Sequence, residues 1–241
     1  SWFDLDADGW DDLIIGGGSG GKMAVFHNDH KGGFQPLNEP WLPKALARDQ
    51  TGVLGWHPGP GRTLLLAGSA NYEDGQTTGS VVRQFDVMAH NVDDSLLTHS
   101  SSPGPLAMAD INGDGNLDLF VGGRVLPGRY PESASSLMFR GVDGKLVLDV
   151  QNTHRFASIG LVSGAVFSDL DGDGDPDLIL ACEWGPIRVV RNDGGTFTEI
   201  TTSLGLDKYV GFWNGVTTGD FDVDGRLDIA ASNWGRNTQY E

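Results

Sequence analysis

Short apolar runs recur along this chain, and four acidic decapeptides each lead directly into one of them. Examples are Leu13-Ile14-Ile15, Leu119-Phe120-Val121 and Leu178-Ile179-Leu180, each of which ends at a glycine or another small residue. Runs of this length and partly β-branched composition predict buried β-strands. Each acidic segment is therefore predicted to join two antiparallel strands.

The acidic decapeptide has the form Asp-x-[Asp/Asn]-x-Asp-Gly-x-x-Asp-[Leu/Ile], and it begins at positions 4, 110, 169 and 220. Carboxylates at positions 1, 3, 5 and 9 crowd negative charge into one short loop. Oxygen-only ligands around a glycine turn suit a hard cation such as Ca²⁺. The alternative is a set of solvated Asp-Gly turns. Because four copies share one pattern, we favour calcium.

The residues after each loop exclude an EF-hand. An EF-hand carries a bidentate Glu at position 12 and continues into a helix. Here position 12 is apolar in every copy, and position 9 supplies the last carboxylate. The position 12 residues are Ile15, Val121, Leu180 and Ala231.

The spacing of the loops predicts a repeat architecture. The first interval between loops, 106 residues, is about twice the other two, 59 and 51 residues. A strand–turn–strand pattern without carboxylates lies at 52–68, around His57, and we interpret it as a repeat that has lost its metal. Hairpin patterns follow at 24–34, 137–146 and 189–197. Strand A, the loop, strand B and a C–D hairpin form one unit, and such four-stranded repeats predict a β-propeller.

The composition of the chain argues against two classes of partner, nucleic acids and the membrane interior. The chain has 241 residues, 36 of them glycine, and a formal net charge of −17. Such an acidic surface would repel a phosphate backbone, so we expect no nucleic-acid partner. No run approaches the roughly 18 apolar residues of a membrane helix, so no membrane insertion is expected. The single cysteine, Cys182, lies in an apolar run and is predicted to be a buried, inert thiol.

The loops resemble the FG-GAP/VCBS repeats of integrin α-subunit propellers and their bacterial relatives. Segments 122–132, 183–187 and 211–215 resemble bacterial secreted VCBS-repeat proteins related to cartilage acidic protein. The resemblance covers nearly the whole chain. It implies an all-β fold, a β-propeller of four-stranded antiparallel blades with calcium-binding A–B loops.

The predicted repeats occupy 1–50, 51–104, 105–160, 161–210 and 211–241 of a single propeller segment. The first and last repeats lack strands, and the chain opens abruptly before a loop, as in an excised segment. We therefore expect an open arc of about four and a half blades, cut from a ring of about seven. Its exposed blade edges are expected to favour self-association.

The resemblance also implies the calcium ligands. Side chains at positions 1, 3, 5 and 9 bind the ion, together with the backbone carbonyl at position 7. Four Ca²⁺ sites follow, and the second should be the weakest because Asn112 removes one charge. The four ligand sets are Asp4, Asp6, Asp8, Trp10 and Asp12; Asp110, Asn112, Asp114, Asn116 and Asp118; Asp169, Asp171, Asp173, Asp175 and Asp177; and Asp220, Asp222, Asp224, Arg226 and Asp228.

A recognition surface is expected at the opposite end of the strands from the metal loops. Tryptophan and arginine dominate binding hot spots, and tryptophan also stacks on sugars. Packing of Trp184 and Trp234 between blades is the alternative. The candidate ligand-binding residues are Arg124, Arg129, Tyr130, Glu183, Trp184, Trp234 and Arg236.

Two classes of function remain open from the sequence. The first, which we favour, is a secreted, extracellular or periplasmic adhesion module that recognises a protein or glycan ligand. Calcium sites of this kind fill where free Ca²⁺ is on the order of millimolar, outside the cell. The alternative is a propeller-built carbohydrate-active enzyme, a polysaccharide lyase or hydrolase. No catalytic residue is assigned, because the histidines form no motif and no Gly-x-Ser-x-Gly nucleophile is present.

Overall fold

The computed structural model describes residues 1–37, 42, 45–97 and 100–235. Within these ranges the chain forms eighteen β-strands and one short helix. It divides into two compact units, Ser1–Pro103 and Gly104–Glu241. None of the described helices is long and apolar enough to cross a membrane.

The first unit contains two four-stranded antiparallel sheets, in which each strand pairs with the next one along the chain. The sheets have the orders β1-β2-β3-β4 and β5-β6-β7-β8. The strands are β1 (Trp2–Phe3), β2 (Asp12–Ile15), β3 (Ala24–Asn28), β4 (Phe34–Leu37), β5 (Gln50–Gly59), β6 (Arg62–Ser69), β7 (Ser80–Asp86) and β8 (Asn91–Leu97).

The second unit repeats the same antiparallel arrangement. One sheet has the order β12-β11-β10-β9; in the other, β13 to β16 form a four-stranded set that β17 and β18 extend. The elements are β9 (Ser102–Ala109, beginning at the boundary), β10 (Asp118–Val125), β11 (Leu137–Val142), β12 (Lys145–Leu148), α1 (Val150–Arg155), β13 (Leu161–Ser168), β14 (Asp177–Gly185), β15 (Arg188–Asp193), β16 (Thr196–Glu199), β17 (Gly211–Gly219) and β18 (Asp228–Asn233).

Two strands that follow acidic loops, β10 and β14, are among the most buried ones, as their continuous apolar runs predict, whereas β18 after the fourth loop is intermediate to exposed. Side chains on both faces of β10 and β14 are buried over most of their length. The outer strands β12 and β16 are mostly exposed and bury one side chain each, and β4 is exposed throughout. The central strands therefore lack the alternation of a half-buried strand because both of their faces are covered.

Each unit has its own apolar core, and the loops are attached to it. Leu5, at position 2 of the first loop, joins Ile14, Val25, Leu65 and Phe85 in the core of the first unit. In the second unit, Ile111 occupies the same loop position and is fully buried in a core that contains several phenylalanines. A buried apolar side chain at position 2 thus fixes the start of each of these loops to the sheet beneath it.

The repeat around His57 has the predicted strand–turn–strand structure. Strands β5 and β6 pair up to Gly59 and Arg62, and the turn between them contains Gly61 in the left-handed region, at φ 68°. The tight turn replaces the ten-residue acidic loop of the other repeats. The predicted absence of a metal here stays a prediction.

The all-β class and the four-stranded antiparallel sheets are confirmed. The C–D hairpins predicted after three of the loops correspond to β3–β4, β11–β12 and β15–β16. No sheet closes on itself in the described part of the chain. The number of blades, the open arc and the self-association of its edges stay predictions.

Cys182 lies in the buried part of β14, and burial raises the pKa of its thiol to about 11. Because the thiolate is the reactive form, we expect alkylation at neutral pH to be at least about 100-fold slower in the folded chain than in the denatured chain. Labelling with iodoacetamide, followed by mass spectrometry, measures this ratio. Similar rates in both states would show that β14 is not a stable central strand.

Candidate metal centres and recognition surface

The first aspartate of each loop organises the turn through backbone hydrogen bonds. Asp4 accepts the N–H of Asp8 on Oδ1 at 3.1 Å and the N–H of Gly9 on Oδ2 at 2.8 Å. The equivalent bonds to Asp110, Asp169 and Asp220 measure 2.8–3.1 Å. All four acidic segments therefore adopt the same loop, as their shared sequence predicts.

A glycine at position 6 is required by the backbone. The φ angles of Gly9, Gly115, Gly174 and Gly225 lie between 83° and 94°. Side chains with a Cβ atom rarely adopt this region, whereas glycine enters it without penalty. The turn then allows position 5 to accept the N–H of position 7, as Asp8 does from Trp10 at 2.9 Å.

Three of the loops gather carboxylate oxygens closely enough for one ion. Single oxygens of Asp4, Asp6 and Asp8 lie within 4.8 Å of one another, and two further triads do the same. Hard oxygen donors on a flexible loop fit Ca²⁺, and their mutual repulsion would be relieved by it. The further triads are Asp169, Asp171 and Asp173, and Asp220, Asp222 and Asp228.

The second loop differs in its donors. The side-chain amides of Asn112 and Asn116 donate to the two oxygens of Asp114 at 2.9 and 3.0 Å. The bond from Asn112, followed by those from Asn116, lowers the pKa of the Asp114 carboxyl. Amide groups thus offset part of the negative charge of Asp114, as a bound cation would. That the second site is the weakest stays a prediction.

The aspartate at position 9 has a structural role that the sequence pattern did not reveal. Asp177 is buried; its Oδ2 accepts the N–H of Leu170 at 3.1 Å, and its Oδ1 accepts the N–H of Asn192 in β15 at 2.9 Å. Asp12 and Asp118 make the equivalent pair of bonds. The carboxylate therefore fastens the loop to the neighbouring strand, in addition to its predicted place as a ligand.

Burial of these fastening carboxylates has an electrostatic cost. It raises the pKa of Asp118 and Asp177 above the usual range, although backbone N–H groups partly oppose the shift. A bound cation nearby would favour the ionised form of both groups. In the fourth loop, Oδ2 of Asp228 accepts the N–H of Phe221 at 3.0 Å, which is the equivalent of the bond from Leu170 to Asp177.

Two histidines, which the sequence pattern left without a role, approach the first loop. Nε2 of His30 lies 2.5 Å from Oδ2 of Asp8, and Nδ1 of His27 lies 3.1 Å from Oδ1 of Asp12. Both histidines belong to the β3–β4 hairpin. An alignment of the hairpins by strand register would have singled out His27, because the equivalent residues of the β11–β12 and β15–β16 hairpins are arginines, Arg140 and Arg191.

Four of the predicted recognition residues come together in the second unit. Arg124 forms an ion pair with Glu183, and the Tyr130 hydroxyl donates to Oε2 of Glu183 at 3.2 Å. Nε1–H of Trp184 donates to the Tyr130 oxygen at 2.6 Å. A buried carboxylate thus holds an arginine and a tyrosine, and the tyrosine in turn orients the tryptophan.

Trp184 and Trp234 lie on either side of Phe212. The Trp184 ring meets Phe212 edge-on with centroids 5.1 Å apart, and Trp234 stacks on it at 4.9 Å. Trp184 and Trp234 are nevertheless 42% and 48% exposed. Each ring packs against the protein and also presents a surface to solvent, and its part in ligand binding stays a prediction. We call Arg124, Tyr130, Glu183, Trp184, Phe212 and Trp234 the aromatic ledge.

The backbone of Trp184 is in the left-handed region, at φ 55°. Such a conformation is uncommon for a bulky residue, and strained positions of this kind cluster at functional sites.

Two predicted recognition residues are not part of the aromatic ledge. Arg129 forms an ion pair with Glu132 at 2.5 Å, and its side chain is 63% exposed. Arg236 lies outside the described residues.

Comparison with known proteins supports the motif-based resemblance. Residues 169–231 match the model of the FG-GAP-like repeat. The chain is 26% identical over 260 aligned residues to cartilage acidic protein 1 of Xenopus tropicalis, and 25% identical to that of Mus musculus. Each alignment covers 96% of this chain and 39% of the relative, so the chain spans about two fifths of their length.

The fold is similar to a solved structure, the crystal structure of BBS1N in complex with ARL6DN, soaked with lead. The TM-score is 0.52 at 11% identity, over 97% of this chain and 62% of that one. At this identity the likeness concerns the fold alone. Together with the loop geometry, these matches identify residues 169–231 as FG-GAP-like repeat sequence, within a chain similar to cartilage acidic protein 1.

Proposed function

We propose that this chain is a calcium-stabilised extracellular module that recognises a protein or glycan ligand. The observation that carries the proposal is that β10 and β14 each connect a candidate metal loop at one end to the candidate recognition residues at the other. Each strand begins at a position 9 aspartate, Asp118 or Asp177, and leads at its other end to the aromatic ledge. Seven residues of strand separate Asp177 from Trp184, a distance of about 23 Å.

Calcium gives such a module its rigidity. The carboxylate triads would repel one another without a cation, so ion binding and folding are coupled. Calcium sites on exposed loops of this kind fill where free Ca²⁺ is on the order of millimolar, which supports an extracellular or periplasmic location. The similarity to a protein named cartilage acidic protein 1 is consistent with an extracellular setting.

The ledge has the chemistry of a recognition site. Exposed indole faces stack on sugar rings or on aromatic side chains of a partner. The hydroxyl, guanidinium and carboxylate beside them supply directional hydrogen bonds, and their mutual contacts hold them in place before a ligand arrives. A pre-organised polar and aromatic surface reduces the entropy lost on binding.

The test is a binding screen against a glycan array and a panel of extracellular-matrix proteins, at saturating calcium. For the best ligand, Trp184→Ala should weaken binding by at least about tenfold, as loss of a hot-spot tryptophan does. Trp10→Ala is the matched control, because Trp10 is 51% exposed but lies in a metal loop. Binding that survives Trp184→Ala, or a screen with no ligand, would contradict the proposal.

The same panel separates recognition from catalysis. Each polysaccharide is incubated with the chain, and new reducing ends and unsaturated products are measured. We expect no turnover, since the ledge carboxylate Glu183 is already occupied by Arg124 and Tyr130. Turnover that is lost in Tyr130→Phe would favour the polysaccharide lyase or hydrolase instead.

A further inference from the structure

The first loop is chemically different from the other three, because a pair of imidazoles lies against it. One nitrogen each of His27 and His30 and one oxygen of Asp8 all lie within 4.8 Å of one another. His27 also belongs to a second group of that kind, with Asp6 and Asp12. Two nitrogen donors and three carboxylates therefore converge at one place.

The hairpin positions of the two histidines are fixed by the fold. The N–H groups of Asn28, Gly141 and Asn192 donate to the position 9 aspartates of their own loops, which aligns the three hairpins. The residue before each of these is His27, Arg140 or Arg191. Only the first described hairpin therefore places an imidazole where the other two place a guanidinium.

The second histidine is aligned by the same register. His30, Asp143 and Gly194 each follow the aligned residue by two positions, and their φ angles are 58°, 50° and 58°. The first residue of the turn thus has the same left-handed conformation in all three repeats, although the first turn is one residue longer: Asp29 pairs with Gly33, whereas Val142 pairs with Lys145 and Asp193 with Thr196. Among these three hairpins, the first alone has histidine at both aligned positions.

Packing orients the His30 ring. Trp10, at position 7 of the loop, stacks on it with centroids 5.3 Å apart and an interplanar angle of 20°. The centroids of the two imidazoles lie 6.1 Å apart. The side chains of Asp8, His27 and His30 are 24%, 38% and 43% exposed. An ion can therefore reach the donors directly from solvent.

We propose that His27, His30 and Asp8 form a site for a divalent transition-metal ion, represented by Zn²⁺. Imidazole nitrogen favours Zn²⁺, Ni²⁺ and Cu²⁺ over Ca²⁺, which prefers oxygen. Three protein ligands and a water make a tetrahedral Zn²⁺ site with metal–ligand distances of about 2.0–2.2 Å. By tetrahedral geometry, donor atoms of such a site lie about 3.3–3.6 Å apart; here Nε2 of His30 and Oδ2 of Asp8 are 2.5 Å apart, and all three donor atoms lie within 4.8 Å of one another. The proposal does not depend on calcium binding by the other loops. At the first loop, Asp8 has two oxygens: Oδ2 faces His30 and would bind Zn²⁺, whereas Oδ1 faces the loop turn and stays available to the loop's own calcium site.

Equilibrium dialysis of an untagged chain against Zn²⁺, at saturating calcium, followed by elemental analysis, tests the proposal. We expect one tightly bound Zn²⁺ per chain. His27→Arg, which introduces the residue of the other hairpins, and His30→Gln should each weaken it by at least about tenfold. His154→Gln, on the exposed side of α1, is the control and should change nothing.

Cobalt supplies an independent readout of the ligands. Co²⁺ bound at the site should show visible absorption bands of a nitrogen-coordinated ion, and these bands should disappear in His27→Arg and in His30→Gln. Melting temperatures of the variants in calcium verify that they are folded. Zn²⁺ binding of equal affinity in all four proteins, or no binding by the parent chain, would overturn the proposal.

Discussion

Removal of calcium is expected to lower the melting temperature of this chain by at least about 10 °C. An ion present at 100 times its dissociation constant adds about 2.7 kcal/mol of stability for each site that the unfolded chain lacks. For a chain of this size, 1 kcal/mol corresponds to about 2–4 °C. Two filled loops would therefore be enough, and without the ions the carboxylate triads would repel one another.

Circular dichroism or differential scanning fluorimetry in excess EGTA measures the effect. Addition of Ca²⁺ above the chelator concentration should restore the original melting temperature, whereas Mg²⁺ should restore much less. Magnesium demands near-ideal octahedral geometry and releases its water reluctantly, so it fits these flexible loops poorly. An unchanged melting temperature in EGTA would contradict calcium stabilisation.

The second large effect is expected from Asp177→Ala, and it should persist without calcium. The substitution leaves the N–H groups of Leu170 and Asn192 without their acceptors, in a partly and a fully buried environment. Each loss costs roughly 1–3 kcal/mol, so the free energy of unfolding should fall by about 2–6 kcal/mol. Urea unfolding in calcium and in EGTA measures it.

Asp173→Ala is the matched control within the same loop. Asp173 is exposed, and its carboxylate accepts a hydrogen bond from the backbone N–H of Asp175, two positions along the same loop. We expect it to destabilise the chain in calcium and to have little effect in EGTA. Asp177→Asn, which keeps one oxygen acceptor, should lie between the two. Equal losses for Asp173→Ala and Asp177→Ala in EGTA would contradict the fastening role of position 9.

The parts of the fold that the sequence predicted are those with local signals. Each acidic loop needs only its own ten residues to form the turn, because Asp4 and its equivalents bond within five positions. The apolar runs after the loops, such as 178–180, predicted the buried central strands for the same reason. The C–D hairpins were also local, each joined by a short turn that contains glycine.

The parts that the sequence did not predict depend on contacts between distant positions. Trp184 and Tyr130 are 54 residues apart in the chain, and only the neighbouring sheets bring them into hydrogen-bonding distance. The second role of position 9 depends on which strand lies beside the loop, as Asp177 and Asn192 show. His27 and His30 carry no motif of their own, and their meaning appears only once the hairpins are aligned by register.

The most direct test of calcium binding is the metal content of the folded chain. Isothermal titration of the calcium-free protein, with elemental analysis of the loaded form, counts the ions. We predict four Ca²⁺ per chain, with the weakest at the loop that contains Asn112, and three in Asp173→Ala. A chain that binds no Ca²⁺ at millimolar concentration, or that still binds four in Asp173→Ala, would contradict the account.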